Sequence, residues 1–567
     1  MTASAATPAR GAYHLTSCGV LSKANASYVL DKDLTSPGTC ISIQSDGITL
    51  DLNGHTITYA TEPETAPRHG ILAEACWDTS LAGNPCGGSA DRLTVFNGTI
   101  TQGSGAAPYS HAIQIGQING ANHLVVHDVV FNIGATSSIP VFTTFSGSGS
   151  SIYKNTIHNN VTVILNRHQI QGASIKFQNT QGSGPGQTIH DNKIVGGPQG
   201  GIFSSSPGSQ FFGNTIDLNG RYSNDFGIYA WGTNDQAYNN TIEPVSGRGI
   251  QIAGGAVNAG GPGAGARSVM VHDNKISVIE LQQNCDYSAG GTACNVCELA
   301  GAFGIQFDDG PSDGSAFNNS VEAKADQCDA QALRLTDIGT GNSSHDNNFT
   351  AERTGEGPGK AWAIGTGGAP HRFIATNDTF VADSAVFHAD WEGMPGGFLC
   401  IHCTLRKGGN PSPDFVTFSF ENGRNPVVGL HFQDTIFEGG AVKESTDMRS
   451  IGSSRQYSEY FIDWTYSLEV QDAQGKPVPG AAISVKDATD NTVYRGISDD
   501  KGQISVVLNE FKKFNTNWTV KKEMHTPHTI YISNPSCEQK ENTLKVIIDH
   551  PTHQTYVLEC SGNNKLR

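Results

Sequence analysis

The 567 residues include 67 glycines, only 16% charged residues and a formal net charge of −17. So acidic a chain repels nucleic acid and anionic membranes, which argues against both as partners, and so glycine-rich a composition suits a turn-rich all-β chain better than a helical one. No stretch approaches the roughly 20 apolar residues of a membrane-spanning helix. No signal peptide is visible, and the start at Met1 reads as a mature N-terminus with an added methionine.

In chain order, residues 1–40 read as an N-terminal cap segment, with Cys18 and Cys40 flanking the entry to a repeat. From there a short phrase recurs at irregular intervals: a polar residue, often Asn, a small or polar residue, then Ile, Val or Phe. Examples are Asn155-Thr156-Ile157, Asn192-Lys193-Ile194, Asn214-Thr215-Ile216, Asn240-Thr241-Ile242, Asn274-Lys275-Ile276 and Asn319-Ser320-Val321. A second phrase, Gly-Ile-x-small, precedes it, as in Gly201-Ile202-Phe203-Ser204, Gly227-Ile228-Tyr229-Ala230 and Gly249-Ile250-Gln251-Ile252. Each run alternates with period two, so each is a strand with one face in the core. Two short strands per coil, with no helical period between them, predict a parallel β-helix over 41–440 with about 12 to 13 coils. The Asn residues are assigned to turns, where Asn tolerates left-handed dihedrals and bonds the backbone, and they receive no catalytic role.

The run Ile48-Thr49-Leu50-Asp51-Leu52-Asn53-Gly54-His55-Thr56-Ile57 resembles the opening coil of right-handed parallel β-helix proteins of the pectate-lyase-like superfamily. That resemblance covers about residues 40 to 440 and implies a fold, while the superfamily holds lyases, hydrolases, epimerases and non-enzymes. Past residue 440 the coil phrase stops. Residues 441–465 read as a connector. Residues 466–567, with Gly475-Lys476-Pro477-Val478-Pro479-Gly480 and Asp499-Asp500-Lys501-Gly502, resemble a carboxypeptidase-regulatory-like, transthyretin-like β-sandwich and are expected to form an independent unit.

The cysteines number 12, and most lie near another. Cys18–Cys40, Cys76–Cys86, Cys400–Cys403 and Cys537–Cys560 are the near-neighbour pairs. Cys285, Cys294, Cys297 and Cys328 cluster around one loop, as two disulfides or as a zinc site, and the disulfide reading is preferred. The pattern of pairs points to an oxidising compartment, hence a secreted or periplasmic protein. No cofactor is expected, and no metal: the histidines lack ligand spacing, and P-loop, dinucleotide and Ser-His-Asp signatures are missing.

On a β-helix the outward positions of one parallel sheet line a groove, with successive coils about 4.8 Å apart. Tyr229 and Trp231 read as a sugar-stacking strip or as aromatics beneath a loop. Gln251, Gln306, Arg334, His388 and Asp390 read as further substrate contacts. Asp308, Asp309 and Asp337 are the acidic set, either strand-end turn caps or the carboxylates of glycosidic hydrolysis. Asp308-Asp309 is similar to the paired aspartates of polygalacturonase-type hydrolases, although the Gly-His-Gly and Arg-Ile-Lys motifs of that family are missing, so a neutral glycan is the better fit. Arg334 is expected to keep one acid of this set ionised. Upstream, Asn166-Arg167-His168 and Lys176 form a basic set of the kind polyuronate lyases and epimerases need.

Three readings follow for a polysaccharide or oligosaccharide partner: a glycoside hydrolase first, a polyuronate lyase or epimerase second, and a non-catalytic glycan-binding solenoid third.

Overall fold

The structure, a computed structural model, describes every residue except 1–10, 74–89, 117–121, 145–148, 162–172, 179–185, 198–199, 219–224, 246, 254–265, 281–300, 309, 356, 368–370, 391–392, 423–424, 451–456, 517–518, 535–541 and 559–567. Among the described residues the regular structure is all β, and no helix is long and apolar enough to cross a membrane. The chain is a parallel β-helix followed by further strands. It divides into two compact units: residues 1–365 with 381–385 and 408–415, and residues 366–380 with 386–407 and 416–567.

In the first unit most coils contribute three strands where the sequence pattern predicts two. One coil, for example, consists of Gln236–Tyr238, Thr241–Val245 and Gly247–Ala253. The strand that the pattern misses is only three residues long and buries one side chain, Ala237 here, too short a run to show alternation. Strands in equivalent places pair in parallel with those of the next coil. In one sheet eleven strands follow one another from Gly19–Leu21 to Ala330–Thr336.

The recurring Asn is the internal brace of this unit. Asn155, Asn192, Asn214, Asn240, Asn274, Asn319 and Asn347 are each 1–3% exposed. Each of the first six passes its side-chain amide N–H to the Oδ1 of the next, at 2.9–3.0 Å, and its backbone N–H to the same Oδ1, at 2.9–3.1 Å. The second N–H of each amide caps a backbone carbonyl, as Asn240 does with Phe211 at 2.8 Å. No amide proton is left over, which is what buried amides require. The left-handed turn position expected of these Asn residues falls one place earlier, on Lys154, Asp191, Gly213, Asn239, Asp273, Asn318 and Asp346, with φ between 54° and 62°. The turn residue bends the chain, and the Asn after it points inward to bond.

Gly249 and Gly304 explain the Gly-Ile phrase. A Cβ on Gly249 would lie 2.3 Å from a methyl of Ile276, and one on Gly304 would lie 2.1 Å from a methyl of Val321. Glycine and the following Ile therefore both occupy the inner side. The outward positions flanking them, such as 248 and 251, stand three apart instead of two.

Outside the same unit, aromatic rings stack from Phe96 through His127, Tyr153, His190, Phe212, Tyr238, His272 and Phe317 to His345, with centroids 4.6–5.1 Å apart. His127, His190, His272 and His345 each bond the Asp that follows, at 2.7–2.8 Å. Ring faces spent on each other cannot also stack on a sugar, so this column is a spine and not a binding platform.

In the second unit Thr446–Ser450 pairs in parallel with Val416–Asn422. Ser458–Asp472 pairs in parallel with Val427–Gln433 through its first half and with Thr552–Leu558 through its second. It also runs antiparallel to Gln503–Thr516. A separate antiparallel sheet holds Thr492–Ile497, Ala482–Lys486, His528–Ser533 and Asn542–Val546. Within the segment expected as a connector, Thr446–Ser450 and the start of Ser458–Asp472 are strands. Tyr460, Ile462, Trp464, Tyr466, Leu468 and Val470 alternate without a break and are all buried, so one 15-residue strand crosses the boundary expected at 466. Lys443 reinforces the join through its ion pair with Glu510, at 2.7 Å.

Two of the expected disulfides are formed, Cys18–Cys40 and Cys400–Cys403, with Cα atoms 4.7 and 5.8 Å apart. Cys328 is also disulfide-bonded, which removes it from a zinc site. Cys285, Cys294, Cys297, Cys76, Cys86, Cys537 and Cys560 lie outside the described residues.

Two outcomes test this architecture. Asn240→Ala should cost about 3 kcal/mol in denaturant unfolding, because it strands the buried donors of Asn214 and the carbonyl of Phe211, whereas Asn239→Gly at the left-handed position should cost little. A chain ending near residue 445 loses the parallel partner of Val427–Gln433 and should melt at a clearly lower temperature than the full chain; an unchanged melting temperature would count against the shared strand.

Candidate functional site

The outward face of the eleven-strand sheet in the first unit carries the candidate site. One outward column runs Gln114, Phe142, Lys176, Phe203, Tyr229, Gln251, Gln306, Arg334 in unbroken register. A neighbouring column runs Ala173, Gly200, Phe226, Arg248, Phe303, Gln331. Asp308, level with Ala253, closes the far side.

These columns make two different surfaces. In the upstream part Tyr229 is only 5% exposed and packs with Phe203, Phe226, Ala173 and Ala253, with Trp231 against them. Tyr229 and Trp231 stack on each other at 6.0 Å, with their planes 4° apart. The exposed sugar-stacking strip expected of this pair is therefore not formed. Large rings on adjacent coils, about 4.8 Å apart, bury one another even when they point out of the coil.

The downstream part is polar. Arg248 Nε donates to Gln306 Oε1 at 2.6 Å, and Gln251 Nε2 donates to Asp308 Oδ2 at 2.9 Å. Arg334 donates to Gln331 Oε1 at 3.1 Å. The guanidinium groups of Arg248 and Arg334 lie 5.9 and 4.9 Å from the ring centre of Phe303, within the range of cation–π attraction. Gln251, Gln306 and Gln331 are buried, while Arg248, Phe303, Asp308 and Arg334 are half-buried. Arg248, Phe303 and Gln331 escape sequence reasoning because the glycine-isoleucine pair spaces outward positions by three, and a strict period of two places them inside.

Gln251, Gln306, Arg334 and Asp308 therefore come together on one face. Asp337 does not share their strands. Phe307 faces Leu335, so Asp308 stands level with Thr336, and Asp337 sits beyond in an exposed turn with φ 46°. The orientation found for Arg334 is toward Gln331 and Phe303. Asp309, Asn166, Arg167 and His168 lie outside the described residues.

In the second unit His388 is 1% exposed, with its Nδ1 3.2 Å from Ser419 Oγ. Asp390 is half-buried and bonds through its backbone N–H to Thr366 and through its carbonyl to Gly393. His388 is thus an interior residue of its strand, not the surface contact expected.

No protein-family model matches the chain, and no curated protein matches it. Solved parallel β-helix proteins do. The chain is similar to the tailspike protein of E. coli bacteriophage HK620 in complex with pentasaccharide, with TM-score 0.42 and 10% identity over 91% of this chain and 87% of that one. It is also similar to a mutant of the periplasmic alginate epimerase AlgG, with TM-score 0.35 and 10% identity over 73% of this chain and 77% of that one.

Upstream on the same face, His69 and His111 are buried with rings 5.6 Å apart. His69 Nδ1 accepts the N–H of His111 at 3.1 Å, and His111 Nδ1 accepts that of Ile139 at 2.9 Å. Burial lowers both pKa values, that of His69 to about 4. A histidine held neutral in the fold stabilises it above its unfolded pKa and loses that contribution as the pH falls towards the folded value. Stability should therefore drop between pH 6.5 and 4, by about 3 kcal/mol for His69 alone. Denaturant unfolding of wild type and His69→Gln across this range checks it: the variant should show the smaller drop.

Proposed function

We propose that the protein is a carbohydrate-active enzyme whose polysaccharide or oligosaccharide substrate lies along the outward face around Asp308, and that it cleaves glycosidic bonds by hydrolysis. The observation that carries this reading is the placement of Asp308. Its half-buried carboxylate ends the strand Ala302–Asp308 and is held by Gln251, on the face that also carries buried amides, two guanidinium groups and the ring of Phe303. Amides and guanidinium groups suit sugar hydroxyls, and a carboxylate is the group glycoside hydrolysis requires.

Hydrolysis needs a second carboxylate about 5–9 Å from the first. Asp309, adjacent in sequence, and Asp337, on the next coil, are the candidates. One acid protonates the leaving oxygen, the other assists water or attacks the anomeric carbon, and the elements of water are divided between the two products. Asp308 takes one of these roles. The disulfides of Cys18, Cys40, Cys400, Cys403 and Cys328 support a secreted or periplasmic location.

Arg248 and Arg334 favour a second reading, a polyuronate lyase or epimerase. Such enzymes neutralise the substrate carboxylate with cations before a base takes the α-proton. In that case Asp308 is the base.

Product analysis on a panel of neutral and acidic glycans separates the two. Hydrolysis yields new reducing ends without ultraviolet absorption, whereas lysis yields an unsaturated, absorbing product. Asp308→Asn keeps an oxygen to accept the Gln251 bond, so it should fold normally and lose about 100-fold or more of turnover. Near-full activity in that variant would remove Asp308 from the chemistry.

A further inference from the structure

Lys176 lies upstream of the polar site, in the same outward column as Gln251, three coils away. It is 1% exposed. Its ammonium lies 5.0 Å from the centre of the Phe142 ring, and among the described residues it has neither a hydrogen bond nor an ion pair. A buried ammonium whose one contact among the described residues is a ring is costly, because cation–π attraction recovers a small part of its lost hydration. Burial accordingly lowers its pKa to about 8. The next unmet need is in the same column. Gln114 is 6% exposed, and its buried Oε1 has no hydrogen-bond partner among the described residues. Between the two in register stands Phe142, half-buried, with His111 against its ring at 4.8 Å.

The groups left unsatisfied describe what they lack. Lys176 lacks an anion, Gln114 Oε1 lacks a hydroxyl or amide proton, and Phe142 offers an apolar ring. His69 and His111, whose Nδ1 atoms already accept backbone N–H groups, carry their proton on Nε2 when neutral. They present N–H donors and not a lone pair for a metal.

We infer that Lys176, Gln114 and Phe142 form a second subsite on this face that receives an acidic sugar unit, its carboxylate on Lys176 and a hydroxyl on Gln114. This rests on the proposed groove and adds to it. Three coils of about 4.8 Å set Lys176 roughly 14 Å from Gln251. Phe203 and Tyr229, both buried, stand between the two sites, so a glycan spanning them would pass over this outer core, with its acidic unit upstream of the bond at Asp308.

The test uses the full-length protein and simple probes: glucuronate, glucose and sodium sulfate, with affinities from calorimetric titration. Wild type should bind glucuronate at pH 7 and glucose at least tenfold more weakly. Lys176→Met, which keeps the side chain's length and removes its charge, should lose at least tenfold in glucuronate affinity, and Gln114→Leu should lose several-fold. Affinity should also weaken as the pH rises through 8, where Lys176 gives up its proton; the titratable groups facing it, His111 and His69 behind it, are already neutral there. Without ligand, Lys176→Met should melt at a higher temperature than wild type, since an unpaired buried charge is gone. Binding of sulfate but not glucuronate, abolished by Lys176→Met, would keep the anion subsite and make the acidic group a sulfate ester. Equal affinity of wild type and Lys176→Met for every probe, including no binding by either, would overturn the subsite. Turnover of a neutral glycan lost in Asp308→Asn but kept in Lys176→Met would leave the groove reading intact in that event.

Discussion

The hydrogen-bonded column of asparagine side chains from Asn155 to Asn347 fixes the coils of the first unit to one another. Each amide in it meets its neighbour's needs, so register cannot slip by one residue without breaking several buried bonds at once. The neighbouring columns inherit that register. Inside, Ile157, Ile194, Ile216, Ile242, Ile276 and Val321 stack as the core. Outside, the aromatic and histidine spine stacks at nearly the same interval. On the second sheet the same repeat places Arg248, Phe303 and Gln331 beside Gln251, Gln306 and Arg334. The chemistry of the face is thus set by what each coil adds to a common ladder, one residue at a time.

That arrangement shows how surface function can change along a solenoid without any change of fold. Phe203, Phe226 and Tyr229 turn one stretch of the face into a small outer core. From the next coil on, the same columns carry amides and guanidinium groups, with an acid at the end of one strand. Between these stretches the backbone is alike, and side-chain size alone decides whether an outward position is exposed or sealed. The second unit uses its outward positions differently again, with His388 buried beside Ser419 and one long strand, Ser458–Asp472, pairing with a coil strand at its start and with the C-terminal strands at its end.

Much of this was legible in the sequence. The Asn-x-Ile and Gly-Ile phrases report the buried ladder and the small inner residue directly, because each recurs at the same place on successive coils. The three-residue strands were not legible, since one buried side chain makes no pattern. The left-handed residue was misplaced by one, because Asn serves both at turns and in the ladder, and only the bonds distinguish Asn239 from Asn240. At the site, Gln251, Gln306, Arg334 and Asp308 follow from alternation. Arg248 and Phe303 do not, because the inner glycine shifts the phase. The burial of Tyr229 and His388 was not legible either: direction out of a coil can be read from a pattern, but exposure depends on what the adjacent coils place alongside. Asp337 has the composition of a catalytic partner and the backbone of a turn.

The measurement that bears most directly on the face as the working surface is amide hydrogen exchange of the full-length protein, with and without a mixture of acidic and neutral oligosaccharides. Added protection should appear in Gly247–Ala253, Ala302–Asp308 and Ala330–Thr336, and should extend upstream to Ala173–Gln178 when the bound species is acidic. Protection confined to the strands Ala482–Lys486, Thr492–Ile497 and His528–Ser533, with none on the coil face, would place glycan recognition in the C-terminal sheet and contradict the site around Asp308.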